Sequence, residues 1–331
     1  MNLFRILITA LKLAATLGLL WFALRGIDLT AVLARTESIS WPWLFFAFAA
    51  CLFQFVFIAE RWRELSRFCD IDLTRLETFQ LVMIGNFFSQ VLPSSLGGDA
   101  VRLWLLGRQS GWRETTYSIL IDRGFGLLAI STIIVVVGPI GLGYLKDDAM
   151  GITLIAIGGG TLLAGAVFAA SGFAPLPALD RIPLLRQLHD CAKIVAAVLR
   201  SPLSGSLVIS TSVITHVIAI VMTYGLARAI SAPVSLVELF VLLPPVMLIA
   251  ALPVSIAGWG IRELSMVTAF AYAGLEQTDG LVISLLTGLL QLAVGVAGGV
   301  MWIVLRMSPK RRSKAATASP DRSELTADGE I

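Results

Sequence analysis

The chain has 331 residues, of which 57% are hydrophobic and 14% charged, and its mean hydropathy is +0.86. A soluble domain is about 45–50% apolar and about 25% charged, so this chain has too few charged residues to cover a water-facing surface of its size. The 25 Lys and Arg residues slightly outnumber the 22 Asp and Glu residues, for a formal net charge of +3. The composition excludes a soluble protein and predicts an integral membrane protein.

The few cysteines and histidines exclude several kinds of metal and redox site. Cys51, Cys69 and Cys191 are too few and too dispersed for a disulfide framework or a thiolate metal site. The only histidines are His189 and His216, which excludes structural zinc and haem attachment. We therefore expect no cofactor and no metal.

Six apolar stretches are long enough to cross the bilayer, since a crossing helix needs about 20 apolar residues. They are Leu3–Leu24, Trp41–Ile58, Thr116–Leu145, Gly151–Gly172, Leu207–Ile230 and Leu281–Leu305. The alternative for the first stretch is a cleavable signal peptide, with Val32-Leu33-Ala34 as its cleavage site. That site lies far past the apolar run, and Lys12 interrupts the run itself, so we interpret the stretch as a span.

Two further apolar stretches, Leu76–Gly107 and Val237–Ala273, are interrupted by polar residues, prolines and glycines. The interruptions are Asn86, Gln90, Pro93 and Gly97-Gly98-Asp99 in the first, and Pro244-Pro245, Pro253 and Gly258-Trp259-Gly260 in the second. Each half is short for a crossing of its own. We therefore predict two re-entrant helical hairpins.

The remaining segments are more polar. Between Pro175 and Arg200, leucines and valines mix with basic residues, which favours an interfacial amphipathic helix; a solvated loop with a short helix is the alternative. The segment from Lys310 to Ile331 is rich in Ser, Ala and charge, and is expected to be disordered. The prediction is an all-α polytopic protein with one membrane domain over residues 1–307 and a cytoplasmic tail over residues 308–331.

The distribution of basic residues orients these spans. If the amino terminus is cytoplasmic and each interrupted stretch returns to its own side, the chain crosses six times and both termini are cytoplasmic. Of the 25 Lys and Arg residues, 19 then lie on the cytoplasmic side, 5 on the opposite side and one, Arg123, within a span. The excess of cytoplasmic positive charge favours this orientation over its inversion.

The two interrupted stretches share a motif. Residues 92–102 and 252–262 are identical at five of eleven positions, namely the Leu, Pro, Ser, Gly and Arg of each copy. Three full spans separate the copies, so in the predicted orientation one enters the bilayer from the cytoplasm and the other from outside. Proline- or glycine-broken segments at corresponding places in two oppositely oriented halves indicate the binding site of an alternating-access transporter.

The residue types of this motif fit an anion site. Proline and glycine break a helix and leave free backbone N–H groups, which attract anions, and the arginine that follows supplies a forked donor suited to phosphate. A lipid phosphate is the expected ligand. The alternative is that the breaks only close a hairpin, with Arg102 and Arg262 reaching to the interface.

Charged and polar residues within the other spans add candidates. Asp122-Arg123 lies inside an apolar span, where ionisable side chains usually face a cavity or one another. Neighbours on a helix point in different directions, so the two need separate partners. The candidate partners are Asp99, Arg102, Arg262 and Glu263; the alternative is that both side chains snorkel at the cytoplasmic interface.

Two other groups have simpler interpretations. Asn86 and Gln90 are four residues apart on one helical face, and either line a polar path or bond a neighbouring helix. The segment Glu60-Arg61-Trp62-Arg63 is interpreted as a charged flank that ends the second span; the alternative is a functional site.

These motifs resemble the lysylphosphatidylglycerol synthase transmembrane family, also called flippase-like. The resemblance covers about Leu11 to Arg306 and is carried by Asn86 through Arg108, by Asp122-Arg123 with its glycine, and by Pro253 through Glu263. It implies a polytopic fold with re-entrant helices and an activity that moves a lipid between leaflets. Family members often have Glu where this chain has Asp122.

The resemblance also limits what is expected. Bifunctional members carry a soluble aminoacyl-transferase domain that uses charged tRNA, whereas only a short polar tail follows Leu305 here. We therefore expect a transporter of the bacterial inner membrane, with no catalytic residues and no nucleic-acid partner. Relatives are associated with aminoacylated phospholipids, glycosylation and hopanoid metabolism, which leaves the lipid open.

The leading hypothesis is a flippase for a phospholipid or a polyprenyl- or other lipid-linked headgroup. The residues predicted to line the headgroup path are Asn86, Pro93, Ser95, Gly98, Asp99, Arg102, Asp122, Arg123, Pro253, Ser255, Gly258, Arg262 and Glu263. The alternatives are an intramembrane transferase acting on lipid-linked sugars or aminoacyl lipids, and an accessory subunit that positions a separate synthase or glycosyltransferase.

Overall fold

The computed structural model describes residues 3–25, 27, 29–37, 39–92, 96–143, 148–175, 182–252 and 254–307. Over these ranges the backbone forms twelve α-helices and no β-strand, which confirms the all-α class. The helices are α1 (Leu3–Leu24), α2 (Leu29–Glu37), α3 (Trp41–Arg67), α4 (Arg75–Val91), α5 (Gly97–Ser110), α6 (Trp112–Gly141), α7 (Asp148–Ser171), α8 (Pro183–Arg200), α9 (Pro202–Ala229), α10 (Leu236–Ala250), α11 (Ile261–Ala273) and α12 (Gln277–Met307).

Five of the described helices are long enough and apolar enough to cross a membrane. They are the helices over Trp41–Arg67, Trp112–Gly141, Ala149–Ser171, Pro202–Ala229 and Gln277–Leu305. α1 is not among these five, because the side chains that the structure describes in it give only the shorter apolar stretch Leu11–Leu24. The structure thus supports a polytopic membrane protein, while the number of six crossings stays a prediction.

Both interrupted stretches form two helices separated by a break. α4 and α10 begin with the same device, a capping box in which the N-cap hydroxyl and a Glu three residues later bond reciprocally to the backbone: Thr74 with Glu77, and Ser235 with Glu238. α4 packs on α5, and α10 packs on α11. That each pair of helices is re-entrant stays a prediction.

The second stretch breaks around the predicted Gly258-Trp259-Gly260, but not at the predicted Pro244-Pro245. Pro244 and Pro245 were predicted to interrupt the helix, but both lie inside the continuous helix α10. Proline is tolerated inside membrane helices because neighbouring groups satisfy the backbone carbonyls that it frees. The break falls between Ala250 and Ile261, which includes the predicted Gly258-Trp259-Gly260; Ala257, Gly258 and Gly260 have positive φ there.

α3 is also longer than expected. The predicted span ended at Ile58, whereas the helix continues to Arg67. Arg61, Trp62 and Glu64 are buried inside the protein, so the interpretation of residues 60–63 as a plain charged flank was wrong. α8 forms as a helix within the segment predicted to be amphipathic, and buries Cys191, Ala192 and Val195.

The helices pack in the same order in two segments of the chain. In α3–α6, α4 packs on α3 and α5, and α5 packs on α6; in α9–α12, α10 packs on α9 and α11, and α11 packs on α12. The contacts between the segments match as well, since α4 packs on α12 and α10 on α6. α3 and α9 pack against each other along the centre. The opposite orientation of the two segments depends on the crossings and stays a prediction.

Glycines allow the closest of these helix contacts. A Cβ atom on Gly98 of α5 would overlap the carbonyl oxygen of Gly85 in α4, and a Cβ atom on Gly298 of α12 would overlap the carbonyl oxygen of Met83 in α4. α4 is therefore held tightly on two sides. α7, by contrast, packs on α6 and α8, and only 6% of its most apolar 18-residue stretch is buried inside the protein.

Candidate functional site

A cavity of about 320 Å³ lies between the segments α3–α6 and α9–α12. Its volume is at the lower end of the roughly 300–1,000 Å³ typical of small-molecule sites. Its polar lining residues come from α4, α6, α9, α11 and α12, and are Ser89, Gln90, Arg123, Thr223, Arg262, Thr287 and Gln291. The rest of the wall is mostly apolar and includes Met222, Leu243, Val246 and Met266.

Arg123 reaches the cavity from α6 and pairs with Asp99 of α5. Its Nε lies 2.7 Å from Asp99 Oδ2, and one of its terminal nitrogens lies 2.6 Å from the same oxygen. The Arg123 side chain is 49% exposed, whereas that of Asp99 is 12% exposed. The ion pair therefore holds a cavity-facing guanidinium from behind, with the carboxylate sheltered.

Asp99 also holds Arg102, one helical turn further along α5. A terminal nitrogen of Arg102 donates to Asp99 Oδ1 at 2.6 Å, so each carboxylate oxygen accepts from a different arginine. The guanidinium of Arg102 stacks over the ring of Trp62 at 4.4 Å, and the Trp62 indole N–H donates to Ser118. Arg102 is 6% exposed and is fixed within the protein rather than reaching to the interface.

The second motif builds a different ion pair from adjacent residues of α11. Arg262 donates to Glu263 Oε1 from Nε at 3.1 Å and from a terminal nitrogen at 2.8 Å. Ser284 of α12 donates to the same oxygen and accepts from Arg262, and Gln291 of α12 accepts from Arg262 at 3.3 Å. This network ties the second arginine to α12 on the cavity wall.

Glu263 has a structural task besides this pairing. Its Oε2 accepts the backbone N–H of Gly260 at 2.6 Å, which caps the amino-terminal end of α11. The side chain of Glu263 is completely buried. A backbone cap and an ion pair are thus satisfied by one carboxylate, which is locked in place.

α1 supports the second break. The hydroxyl of Thr16 accepts the backbone N–H of Ile256 at 3.0 Å. Gly260 has φ +84° and lies close to α1, because a Cβ atom there would be 2.7 Å from the carbonyl oxygen of Thr16. Only glycine fits that conformation without strain.

Asp122 lies beside Arg123 in sequence but belongs to another ion pair. Arg61 of α3 donates from Nε to Asp122 Oδ1 at 2.7 Å, and a terminal nitrogen of Arg61 lies 3.4 Å from the hydroxyl of Ser212 in α9. Arg61 and Asp122 are 6% and 3% exposed. This pair joins α3, α6 and α9 and does not line the cavity.

The structure brings some of the predicted path residues together. Arg123, Gly258 and Arg262 line the cavity, and Asp99, Arg102 and Glu263 lie directly behind them as ion-pair partners. The prediction that Asp122 and Arg123 need separate partners is confirmed: Arg123 pairs with the predicted candidate Asp99, and Asp122 pairs with Arg61, which was not among the candidates.

Other predicted path residues lie elsewhere. Gly98 sits at the contact of α5 with α4, and Asn86 lies near Gly295 of α12. Asn86 Nδ2 and Ser255 Oγ are buried and make no hydrogen bond with any residue that the structure describes. Pro93, Ser95 and Pro253 lie outside the described residues, as do the predicted tail and Arg181 of the amphipathic segment.

Several site residues were missed by the sequence analysis. Ser284, Thr287 and Gln291 follow one another at spacings of three and four on the apolar helix α12, so they share one face. That polar stripe is a readable signal. Arg61 and Trp62 were noted but interpreted as part of a charged flank, because their partners come from distant helices.

Among the residues that the structure describes, no group of three or more His, Cys, Asp or Glu side chains is placed to hold a metal ion. The buried carboxylates are occupied by arginines instead, as in the pairs of Asp99, Asp122 and Glu263. The site can therefore bind through guanidinium, hydroxyl and amide groups, which suits an anion with an apolar remainder.

Comparison with known proteins supports this picture at the level of the family. A family model described as "Lysylphosphatidylglycerol synthase TM region" matches residues 8–299. No curated protein and no solved structure matches the chain. Because the match extends over most of the chain, including both motifs and every cavity-lining residue, the protein belongs to the family of the lysylphosphatidylglycerol synthase TM region.

Proposed function

We propose that the protein moves a phospholipid, or a polyprenyl- or other lipid-linked headgroup, between the leaflets of the bacterial inner membrane. The cavity carries this proposal, since two arginines from different segments of the chain, Arg123 and Arg262, both line its wall. Membership of the family adds the context of membrane lipids.

The depth of these groups supports transport rather than binding at the surface. Arg123 comes seven residues after Thr116, where the apolar span begins, which puts it about 10 Å into the span at 1.5 Å per residue. The hydrocarbon core is about 30 Å thick, so Arg123 belongs about a third of the way into it if α6 crosses. Charged groups at that depth are costly and are retained for function.

The lining of the cavity suits an amphipathic ligand. Guanidinium, hydroxyl and amide groups are present for a headgroup, and methionines and branched aliphatic residues for the adjoining carbon atoms. A lipid headgroup that crosses the bilayer needs such a polar surface to replace its hydration.

We further propose that both termini are cytoplasmic and that the described domain acts as a transporter rather than as an enzyme. The positive-charge asymmetry supports the orientation. A separate synthase or glycosyltransferase would then supply or consume the lipid. No role for nucleic acid is proposed.

Transport by the purified protein in liposomes tests the proposal. Fluorescently tagged phosphatidylglycerol should translocate faster than in protein-free liposomes, and Arg123→Ala or Arg262→Ala should reduce that rate at least tenfold. Arg108→Ala is the matched control, because Arg108 stacks on Trp104 and does not line the cavity. Wild-type rates equal to those of empty liposomes across anionic, zwitterionic, aminoacylated and polyprenyl-phosphate lipids would overturn the proposal.

A further inference from the structure

Asp99 holds two arginines whose surroundings differ. Arg102 is 7% exposed at its side chain and is also held by the ring of Trp62. Arg123 is 49% exposed, and both of its hydrogen-bonding nitrogens are directed at one oxygen of Asp99. Only the Arg123 side of this carboxylate faces the cavity, so it is the side that a ligand can reach.

The charged side chains of α5 and α6 at the cavity, together with their ion-pair partners, carry a net positive charge. Arg102 and Arg123 contribute two positive charges and Asp99 one negative charge, which leaves +1, whereas Arg262 and Glu263 sum to zero. A ligand carrying a single phosphate charge would bring the total to zero. Balanced charge is favoured where the dielectric is low.

The carboxylates also differ in how easily a ligand can replace them. Glu263 caps a backbone N–H and bonds Ser284 as well as Arg262, so its release would leave several buried groups unsatisfied. Asp99 is bonded to the two arginines alone among the residues that the structure describes. If Arg123 turns away, Asp99 keeps Arg102.

We infer that Asp99 is a resident counter-ion for which a lipid phosphate substitutes at Arg123, and that this exchange sets the preference for net-anionic headgroups. The inference rests on the proposed function and deepens it. In the empty cavity Asp99 positions Arg123; when the headgroup enters, the guanidinium passes from carboxylate to phosphate, and on release it returns. Because Asp99 competes with the ligand, it lowers affinity and speeds release.

The opposite arrangement would have Asp99 bind a cationic group of the substrate, such as the ammonium of an aminoacylated lipid. Both oxygens of Asp99 already accept from guanidinium groups. A cation would have to displace an arginine into a cavity that already carries Arg262. The two arrangements predict opposite effects when the charge of Asp99 is removed.

Asp99→Asn tests the inference in two assays. Native mass spectrometry of the purified protein, titrated with phosphatidylglycerol and with lysyl-phosphatidylglycerol, measures binding without requiring transport. Transport of tagged phosphatidylglycerol at increasing mole fraction separates the half-saturating fraction from the maximal rate. We expect Asn to tighten phosphatidylglycerol binding about tenfold and to lower the maximal rate by a similar factor, as for the loss of one competing charge.

Three further variants make the result specific. Asp99→Asn combined with Arg123→Gln should abolish the gain in affinity, because the effect acts through Arg123. Asp99→Glu keeps the charge and should restore the half-saturating fraction to within about twofold of wild type. Asp279→Asn, which alters a buried aspartate paired with Arg35 away from the cavity, is the matched control and should leave binding unchanged.

The outcomes separate this inference from the proposed function. Tighter binding in Asp99→Asn supports the exchange even if the wild-type protein moves no lipid, in which case the proposed function fails alone. Unchanged or weaker phosphatidylglycerol binding overturns the inference, as does a selective loss of lysyl-phosphatidylglycerol binding. If the Asn variant unfolds, Asp99→Ser removes the same charge and leaves room for water beside Arg102.

Discussion

The segments α3–α6 and α9–α12 carry the same motif but use its arginine differently. In the first, Asp99 links Arg102 to Arg123 of the next helix, and Arg123 is half exposed in the cavity. In the second, Arg262 and its neighbour Glu263 form a sealed pair fixed by α12. The ion pair of Arg123 with Asp99 is arranged to exchange partners, whereas the ion pair of Arg262 with Glu263 is fixed.

The difference comes from where the acidic residue sits in the motif. Aligned by their prolines, glycines and arginines, residues 92–102 and 252–262 place Asp99 opposite Trp259, and Glu263 opposite Leu103. The acid has moved by four residues, or about one helical turn. A carboxylate before the arginine faces the neighbouring helix α6, whereas one after it caps its own helix.

The largest expected effect is in cysteine labelling, which tests the relative orientation of the two segments. In the predicted orientation Gln109, near the end of α5, is cytoplasmic, and Glu276, between α11 and α12, is outside. Both side chains are exposed. Cysteines introduced singly at these positions should each react with an impermeant maleimide from one side of the membrane only, and from opposite sides.

The three native cysteines are buried, so the wild-type protein gives the background for this labelling. Reaction of both introduced cysteines from the same side would disprove the inverted arrangement and leave only a shared packing order.

Glu263→Gln is expected to be the most destabilising of the substitutions. It leaves Arg262, which is 9% exposed, without its anion, and breaking a buried ion pair costs about 3–5 kcal/mol. Thermal unfolding in detergent should show a larger loss than Asp99→Asn, because Glu263 also accepts from the backbone N–H of Gly260 and from Ser284. In Asp99→Asn, Arg123 is half exposed and can be solvated, and the buried Arg102 keeps the ring of Trp62. Equal losses at the two positions would contradict the contrast between a sealed and an exchangeable pair.

The two aligned motif glycines are expected to respond differently to substitution. Gly98 lies in α5 against the backbone of α4, so any side chain there pushes the helices apart, at a cost of about 1–3 kcal/mol. Gly258 has φ +79°, and a Cβ atom there would lie no closer than 3.9 Å to another residue. Its backbone conformation, and not a lack of space, therefore favours glycine at this position. Asparagine adopts that region more readily than alanine does.

We therefore expect Gly258→Asn to be better tolerated than Gly258→Ala, and both Gly98→Ala and Gly98→Asn to be destabilising in thermal unfolding. Gly124→Ala is the control, because nothing lies within 4 Å of a Cβ atom there and alanine favours a helix interior by about 0.5–1 kcal/mol. Asparagine destabilising both motif glycines equally would show that the two serve the same purpose.

The smallest effect is expected from the support that α1 gives to the second break. Thr16→Val removes the acceptor for the backbone N–H of Ile256 and should cost about 1 kcal/mol of stability. Thr161→Val, whose exposed hydroxyl bonds only the backbone of its own helix α7, should change the unfolding temperature less. A Thr16→Val unfolding temperature no lower than that of Thr161→Val would show that α1 does not stabilise the second break.

Much of the fold could be predicted because the signals are local. Apolar runs and the Pro/Gly breaks each act within a few residues of the chain. Pro244-Pro245 misled the prediction, because the neighbours that make proline tolerable in α10 are not visible in its own sequence. Arg61 is buried in α3 with Asp122 as its partner, and that partner, 61 residues later in the chain, is not visible in the sequence around Arg61.

The candidate site, too, could be predicted only in part from the sequence. Arg123, Arg262 and Gly258 were found from the motif and from charges in apolar surroundings, and they line the cavity. The sequence did not separate the residues that face the cavity from those that support them, since Asp99 and Glu263 are both carboxylates within three residues of an arginine. Only packing decides which carboxylate is sealed.

The slight packing of α7 has an evolutionary consequence. In the predicted orientation α6 ends outside the cell while α9 begins inside, so one crossing must connect the two four-helix segments. In that orientation α7 supplies the crossing, and only 6% of its 18-residue apolar stretch is buried. If the second segment is an inverted copy of the first, as predicted, one additional apolar helix between them is enough to turn it over in the membrane, and few packing contacts constrain the sequence of that helix.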